Sequence, residues 1–388
     1  ITEMQPVSLH SLSELERASL QELALYQLQE KLLVGDLSLA KDYSPQTFGI
    51  PLFQVIANDR AYKQLQETVK SSRRLYWLIL YGGRKLRKTK TFMTSPPSQG
   101  AMSVDSITDL SDNSSKLLEA LQLSHPHELD PRRSLGKKKM LSLNPITWQV
   151  PRIVDRCCKH IETYGLQTVG IFRVGSSKKR VQQLREEFDH GLDVFLDEHQ
   201  SVHDVAALLK EFLRDMSDSL IPRELYAAFL STASMEVPAQ LAVLQLLLFV
   251  LPPCHSDTLH RLLRFLSKVA QHAKSSWGPD GQEIPGNKMT VSNLATVFGP
   301  NILQKEKPGE KDSGAKDFED STAIILVVQR LIEHYQTLFM VSPEMQHDIL
   351  RRLFQTDPDV IDYLLRRKFN TVLPAAGEVC LLTAGRVS

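Results

Sequence analysis

From Leu143 to about residue 340, apolar residues return every third or fourth position in one segment after another. Nowhere in that stretch do they alternate at the period of a strand. A chain patterned this way buries its apolar stripes only by packing helix on helix, so the stretch is expected to be an all-helical domain. The punctuation agrees. Asn144-Pro145 opens the domain, Pro151 stands where a helix begins, and Gly165 closes a helix predicted over Pro151–Tyr164. Ile153, Val154, Cys157 and Ile161 form its stripe. A second helix is predicted over Lys178–Phe188, ended by Gly191, and a third over Ser201–Arg214. In the third, Ser201 and Asp204 read as a capping box, with Val205, Leu208, Leu209, Phe212 and Leu213 as core. Ala239–Leu251, Asp257–His272, Thr290–Val297 and Ser321–Phe339 complete the set, with Lys305–Asp317 as a charged loop before the last.

The flanks are different. Leucines from Leu12 to Leu33 predict an amphipathic helix ending at Gly35, capped by Ser11 or Ser13 and packed on its own protein. Phe48–Leu52 reads as a short extended piece and Asp59–Ser71 as a helix. Two strands around Gly82-Gly83 would form a hairpin, followed by the basic run Arg84, Lys85, Arg87, Lys88 and Lys90. Such a run suits an acidic membrane surface or a partner protein, and equally a solvated face. The organisation expected is therefore a mixed, partly disordered N-terminal region (1–93), a polar linker (94–142), the helical domain (143–340) and a tail (341–388). Within the linker, Arg132-Arg133 beside Ser134 matches the pattern basophilic kinases read. The tail holds a further helix, Glu344–Phe354.

Composition excludes several classes. Net charge is +1 over 388 residues, so the chain as a whole makes no electrostatic case for nucleic acid. Its four cysteines are too few and too scattered for a disulfide framework, and no C-x-x-C or H-E-x-x-H spacing occurs, so no structural zinc is expected. The longest apolar run, Leu241–Leu251, is broken by Gln245 and stopped by Pro252-Pro253. That is about half the length a membrane span needs. No signal-peptide pattern is seen at the start of the sequence, and a cytoplasmic, reducing setting is expected.

Three stretches carry candidate chemistry. In Gly170-Ile171-Phe172-Arg173 an arginine sits on a glycine-flanked loop beside a helix start, anchored by apolar neighbours (Val169, Ile171, Phe172). Its guanidinium is always charged and offers a planar fork of donors suited to phosphate oxygens. Lys210 and Arg214 are four apart and share a helix face opposite the leucine stripe. Asn293–Val297 is expected to end in the Gly299-Pro300 turn and project Asn301.

Taken together, in this order and at this spacing, these stretches resemble the Rho GTPase-activating protein (RhoGAP) family. The pieces are Gly170-Ile171-Phe172-Arg173, the Leu-Leu-Lys-x-Phe-Leu-Arg segment at 208–214 and Asn293-Leu-Ala-x-Val-Phe-Gly-Pro-Asn301. They cover roughly 145–340, about half the chain. The resemblance implies a RhoGAP-like helical domain that docks on a GTP-bound Rho-family small GTPase. It aligns Arg173 with the arginine finger, Lys210 and Arg214 with the supporting basic pair, and Asn301 with the asparagine that contacts the GTPase. The protein would then be a regulator and not itself an enzyme, since hydrolysis, nucleotide and Mg²⁺ belong to the partner. Val174-Gly175-Ser176 and the serines Ser217 and Ser219 depart from the family pattern, the latter replacing prolines that would stiffen the turn after Arg214. A second reading is a GAP-like binding module without catalytic effect, whose basic N-terminal half recruits a kinase or membrane.

Overall fold

The computed structural model describes residues 5–31, 47–60, 142–305 and 314–356, with a few further positions up to 365. It is mostly helical. The helices are α1 (Glu14–Glu30), α2 (residues 52–60), α3 (Arg152–Tyr164), α4 (Lys178–Asp189), α5 (Val202–Asp215), α6 (Arg223–Ser231), α7 (Val237–Val250), α8 (Pro253–Gln271), α9 (Val291–Ile302), α10 (Gly314–Leu338) and α11 (Pro343–Thr356). Two strand pairs of two residues each are added: β1 (Val7–Ser8) antiparallel to β4 (Met340–Val341), and β2 (Ser276–Trp277) antiparallel to β3 (Glu283–Ile284). The second pair closes the loop that carries Trp277-Gly278-Pro279-Asp280-Gly281.

Helix α5 is central. It packs against α3, α4 and α9, with Val205, Leu208, Leu209, Phe212 and Leu213 all buried. Burying each such side chain contributes about 1.5–3 kcal/mol. Gly165 ends α3 at φ −120°, so handedness is not why a glycine is needed there. A Cβ would lie 2.4 Å from the Val202 side chain, at the closest approach of α3's end to α5's start. Helix α7 is apolar on nearly every side, as a helix enclosed by its neighbours must be. Pro252 and Pro253 both stop α7 and start α8, since a proline costs no hydrogen bond in a first turn.

Part of the cover on α7 comes from α1, which also touches α11. Ser13 supplies the cap of α1, with a reciprocal bond from Ser13 N–H to Glu16, and Leu20, Ala24 and Leu28 are buried. Just past the first turn of α8 the buried Asp257 carboxylate gathers the N-terminal segment. It accepts from Arg17 (3.3 Å), from the Gln149 amide (2.9 Å) and from the His10 ring at 3.0 Å. A cavity of about 460 Å³ lies between α1, the 217–224 turn and the α7–α8 junction, lined among others by Arg17, Phe53, Asp218 and His255.

Four local expectations change. The capping box at Ser201 does not form: Ser201 makes no side-chain cap bond, and the Asp204 carboxylate that would complete the box accepts from Ser177 N–H instead. Helix α9 runs through Gly299-Pro300 to Ile302 instead of turning there. Gly299 is under α10, where a Cβ would meet Ile324 at 2.9 Å, and Pro300 sits in the last turn. The second N-terminal helix starts at residue 52, not Asp59, and Gly49 before it takes φ +73°. Helix α10 begins at Gly314, inside the expected charged loop, whose residues carry no apolar stripe to announce it. The hairpin at Gly82-Gly83, the basic run and residues 94–141 of the linker lie outside the described residues. Among the described residues no helix is long and apolar enough to cross a membrane.

Candidate functional site

The loop between α3 and α4 carries Arg173. It is wound by short-range bonds: Ile171 N–H to Thr168 O, and both Arg173 N–H (2.9 Å) and Val174 N–H (3.0 Å) to Gly170 O. Gly170 has φ +69°, which glycine adopts freely. Phe172 has φ +73°, a left-handed conformation costing a side-chain-bearing residue about 1–2 kcal/mol. Its ring offsets that cost by burial, edge-on to Phe298 at 4.9 Å and Phe265 at 6.1 Å. Ile171 is buried as expected, whereas Val169 is exposed.

Three side chains pin this loop. At its start, the buried Asn287 accepts from Gly170 N–H through its backbone oxygen (2.9 Å) and donates its amide to Leu166 O and Val269 O (2.8 and 2.9 Å). In the middle, the Lys210 ammonium donates to Phe172 O at 2.6 Å. At its end, buried Asp204 accepts from Ser177 N–H at 2.7 Å, and Ser177 in turn caps α4. Arg173 itself is exposed, and among the described residues nothing engages its guanidinium.

Lys210 is half-buried. Burial, followed by the charge of Arg214, lowers its pKa from the ordinary lysine value. Arg214, one turn on, is exposed and leans on Asp215 (3.4 Å). Asp215 and Glu211 are also bridged by Arg185 of α4, at 2.5 Å each. The 216–221 turn, which carries Ser217 and Ser219, is tied at several points. Ile221 N–H bonds Ile302 O (3.1 Å), His255 bonds Leu220 O (2.9 Å), and Ser219 is buried with its hydroxyl on Ile221 O.

Asn301 lies on the last turn of α9, half-buried, its amide 3.3 Å from Val297 O. Gln304 joins this end of α9 to the end of α5 by donating to Leu213 O at 2.9 Å. The structure thus brings Arg173's loop to Lys210 directly and sets Asn301 near Arg214 through Gln304. The local sequence pattern missed Asp204, Asn287 and Gln304, because each acts on backbone groups distant in the chain. Asp204 was visible only as a cap residue. Chemically, the face carries one unengaged guanidinium on a loop held by the Lys210 ammonium, with the exposed Arg214 one helical turn on from that lysine. It suits anionic oxygens, and no metal-holding group of three or more His, Cys, Asp or Glu occurs among the described residues.

A RhoGAP domain model matches residues 151–307, which include every one of these positions. Human Rho GTPase-activating protein 36 is 40% identical over 95% of this chain and 76% of its own length. The chain belongs to the RhoGAP family. Mouse Rho GTPase-activating protein 6 is 52% identical over 94% of this chain, which spans 43% of that relative's length. Among solved structures, the BH domain from GRAF, the GTPase regulator associated with focal adhesion kinase, is 25% identical with a TM-score of 0.41, over 48% of this chain and 92% of that one. The similarity to the two Rho GTPase-activating proteins extends well beyond the RhoGAP match, into the segments that supply α1 and residues 47–60.

Proposed function

We propose that this RhoGAP-family chain accelerates GTP hydrolysis by a GTP-bound Rho-type small GTPase, with Arg173 as the finger inserted in trans. The observation that carries the reading is the loop itself: it is pinned at three points, yet leaves the Arg173 side chain outside. Charge builds on the phosphate oxygens in the transition state of phosphoryl transfer, and an arginine supplied there is worth about 10³–10⁵ in rate. A finger must arrive pre-positioned, since a misplaced donor loses most of that effect. Lys210 holds the loop and, with Arg214 and Asn301, forms the face that meets the GTPase. The unit carrying the activity is the 143–340 domain, with residues 5–31 and 47–60 packed on it. The chain needs no cofactor of its own, because nucleotide and Mg²⁺ come with the partner.

Single-turnover hydrolysis by a panel of Rho-type GTPases, with and without the full chain, tests this. Acceleration of at least about a hundredfold on one member is expected. Binding without acceleration on any member would replace the finger with the docking-module reading, and the basic N-terminal half would then be examined for kinase or membrane contact.

A further inference from the structure

Residues 47–50 come from outside the RhoGAP match yet cross the ends of the two helices that frame the basic face. Thr47 N–H and Phe48 N–H both donate to Asp189 Oδ1 of α4 at 3.1 Å, and the Thr47 hydroxyl donates to Phe188 O. Gly49, at φ +73°, passes the last turn of α5, where a Cβ would sit 3.9 Å from Asp215 O. Phe48 is 3% exposed, and its ring stands edge-on to Phe212 of α5 at 5.7 Å. The Arg185 guanidinium lies over the Phe48 ring, 4.4 Å from its centroid.

Arg185 is the link. Held over an aromatic face, its guanidinium bridges Glu211 and Asp215, the residues immediately following Lys210 and Arg214. Asp215 uses its other oxygen for Arg214 Nε at 3.4 Å. A chain of contacts therefore runs from Phe48 through Arg185 and Asp215 to Arg214. Burial opposes the Arg185 charge, but its bonds to Glu211 and Asp215 outweigh it and keep the pKa raised.

We propose that residues 47–50 are a strap through which the N-terminal half sets the pose of α5's basic end, with Phe48 as the positioning residue. This rests on reading Lys210 and Arg214 as part of the GTPase-docking face. Phe48 touches no reacting group. It fixes the plane of Arg185, and Arg185 fixes the carboxylate that orients Arg214. Anything that lifts this strap would weaken docking while leaving Arg173 and its loop in place.

The test uses the full chain with Phe48→Leu, which keeps apolar volume but removes the aromatic face. Two readouts are needed. In the free protein, the Nε–Hε NMR signals of Arg185 and Arg214 should both move and broaden, while that of Arg261, which is paired to Asp155 and Glu162 instead, should not. Affinity for Rho-type GTPases loaded with a non-hydrolysable GTP analogue should drop about three- to tenfold. An unmoved Arg214 signal overturns the strap, whatever the GTPase does. Moved signals with no GTPase response anywhere in the panel sustain the strap and count against the GAP reading instead. If Phe48→Leu unfolds the chain, Arg185→Gln breaks the same link from its other end, and an Arg214 signal unchanged by it overturns the proposal equally.

Discussion

The Lys210 ammonium lies 2.6 Å from the carbonyl oxygen of Phe172 and donates to it, one residue ahead of Arg173. The lysine proposed to meet the GTPase thus also has a task inside its own protein. It fixes the carbonyl of a residue in left-handed conformation, so the next side chain leaves the loop in one direction. Arg173's loop and Lys210 are coupled through this bond within the chain itself.

Arg173 is the first place to intervene. Because a finger acts in the transition state, Arg173→Ala should cost at least about two orders of magnitude in stimulated hydrolysis with little change in affinity. Arg173→Lys should rescue little, since lysine keeps the charge but loses the planar fork. Single-turnover rates beside equilibrium binding separate the two effects. Equal losses in both would place Arg173 on the ground-state contact surface instead.

Lys210→Ala and Arg214→Ala should differ in kind. Losing Lys210 frees the loop at Phe172, and a charged hydrogen bond of this type is worth about 1.5–3 kcal/mol. Stimulated hydrolysis should fall by roughly one to two orders of magnitude, together with affinity. Arg214 is exposed, so its loss should weaken affinity less and spare the fold. Thermal melts alongside titrations would check this, and unchanged binding in both variants would leave Lys210 an internal loop support and Arg214 a solvated cation.

Asp204 is predicted to act through the loop's far end. Asp204→Ala leaves the Ser177 amide without its acceptor and should cost about 1–3 kcal/mol of stability. Stimulated hydrolysis should drop about tenfold for a loss of that size. Asp204→Asn keeps an oxygen in place and should recover most of both losses. If Asn behaves like Ala, the charge matters and the positional account is wrong.

Acid sensitivity should trace to His260. Its ring is packed among His10 (4.5 Å), Trp148 (5.6 Å), Phe339 (4.8 Å) and Tyr335 (5.9 Å). Burial, then the charge of His10, pushes its pKa from 6.5 down to about 4, with Arg264 and Arg261 adding to that and Asp257 opposing it. The unfolded chain binds a proton at ordinary histidine pH and the folded chain does not, so protonation favours unfolding. The stability is fully present above about pH 6.5 and falls as pH drops toward 4. Urea unfolding of His260→Phe across that window should show a flatter profile than the unmutated chain. An equally steep profile would assign the acid sensitivity to another group.

Much of this was legible from local pattern. The helical period of Val205, Leu208, Leu209 and Phe212 marks the buried face of α5 whatever surrounds it, because only that spacing puts them on one stripe. Prolines and glycines bounded most helices for equally local reasons. Pattern failed where a residue answered to something distant. Asp204 looked like a cap and became a loop anchor; Gly299-Pro300 looked like a turn and became a helix–helix contact.

By itself, then, the sequence determined the helical class, the core stripes and the order of Arg173, Lys210, Arg214 and Asn301 along the chain, all consequences of short-range sterics and period. Only the tertiary structure decided that Asn287, Lys210 and Asp204 close on one loop, that Gln304 ties α9 to α5, and that Phe48 reaches Arg185 across 137 positions of chain. Backbone carbonyls and amides are the same at every residue, so a partner for one of them leaves no mark in the sequence. Which group meets which is settled when the helices pack and the unpaired donors and acceptors must find one another.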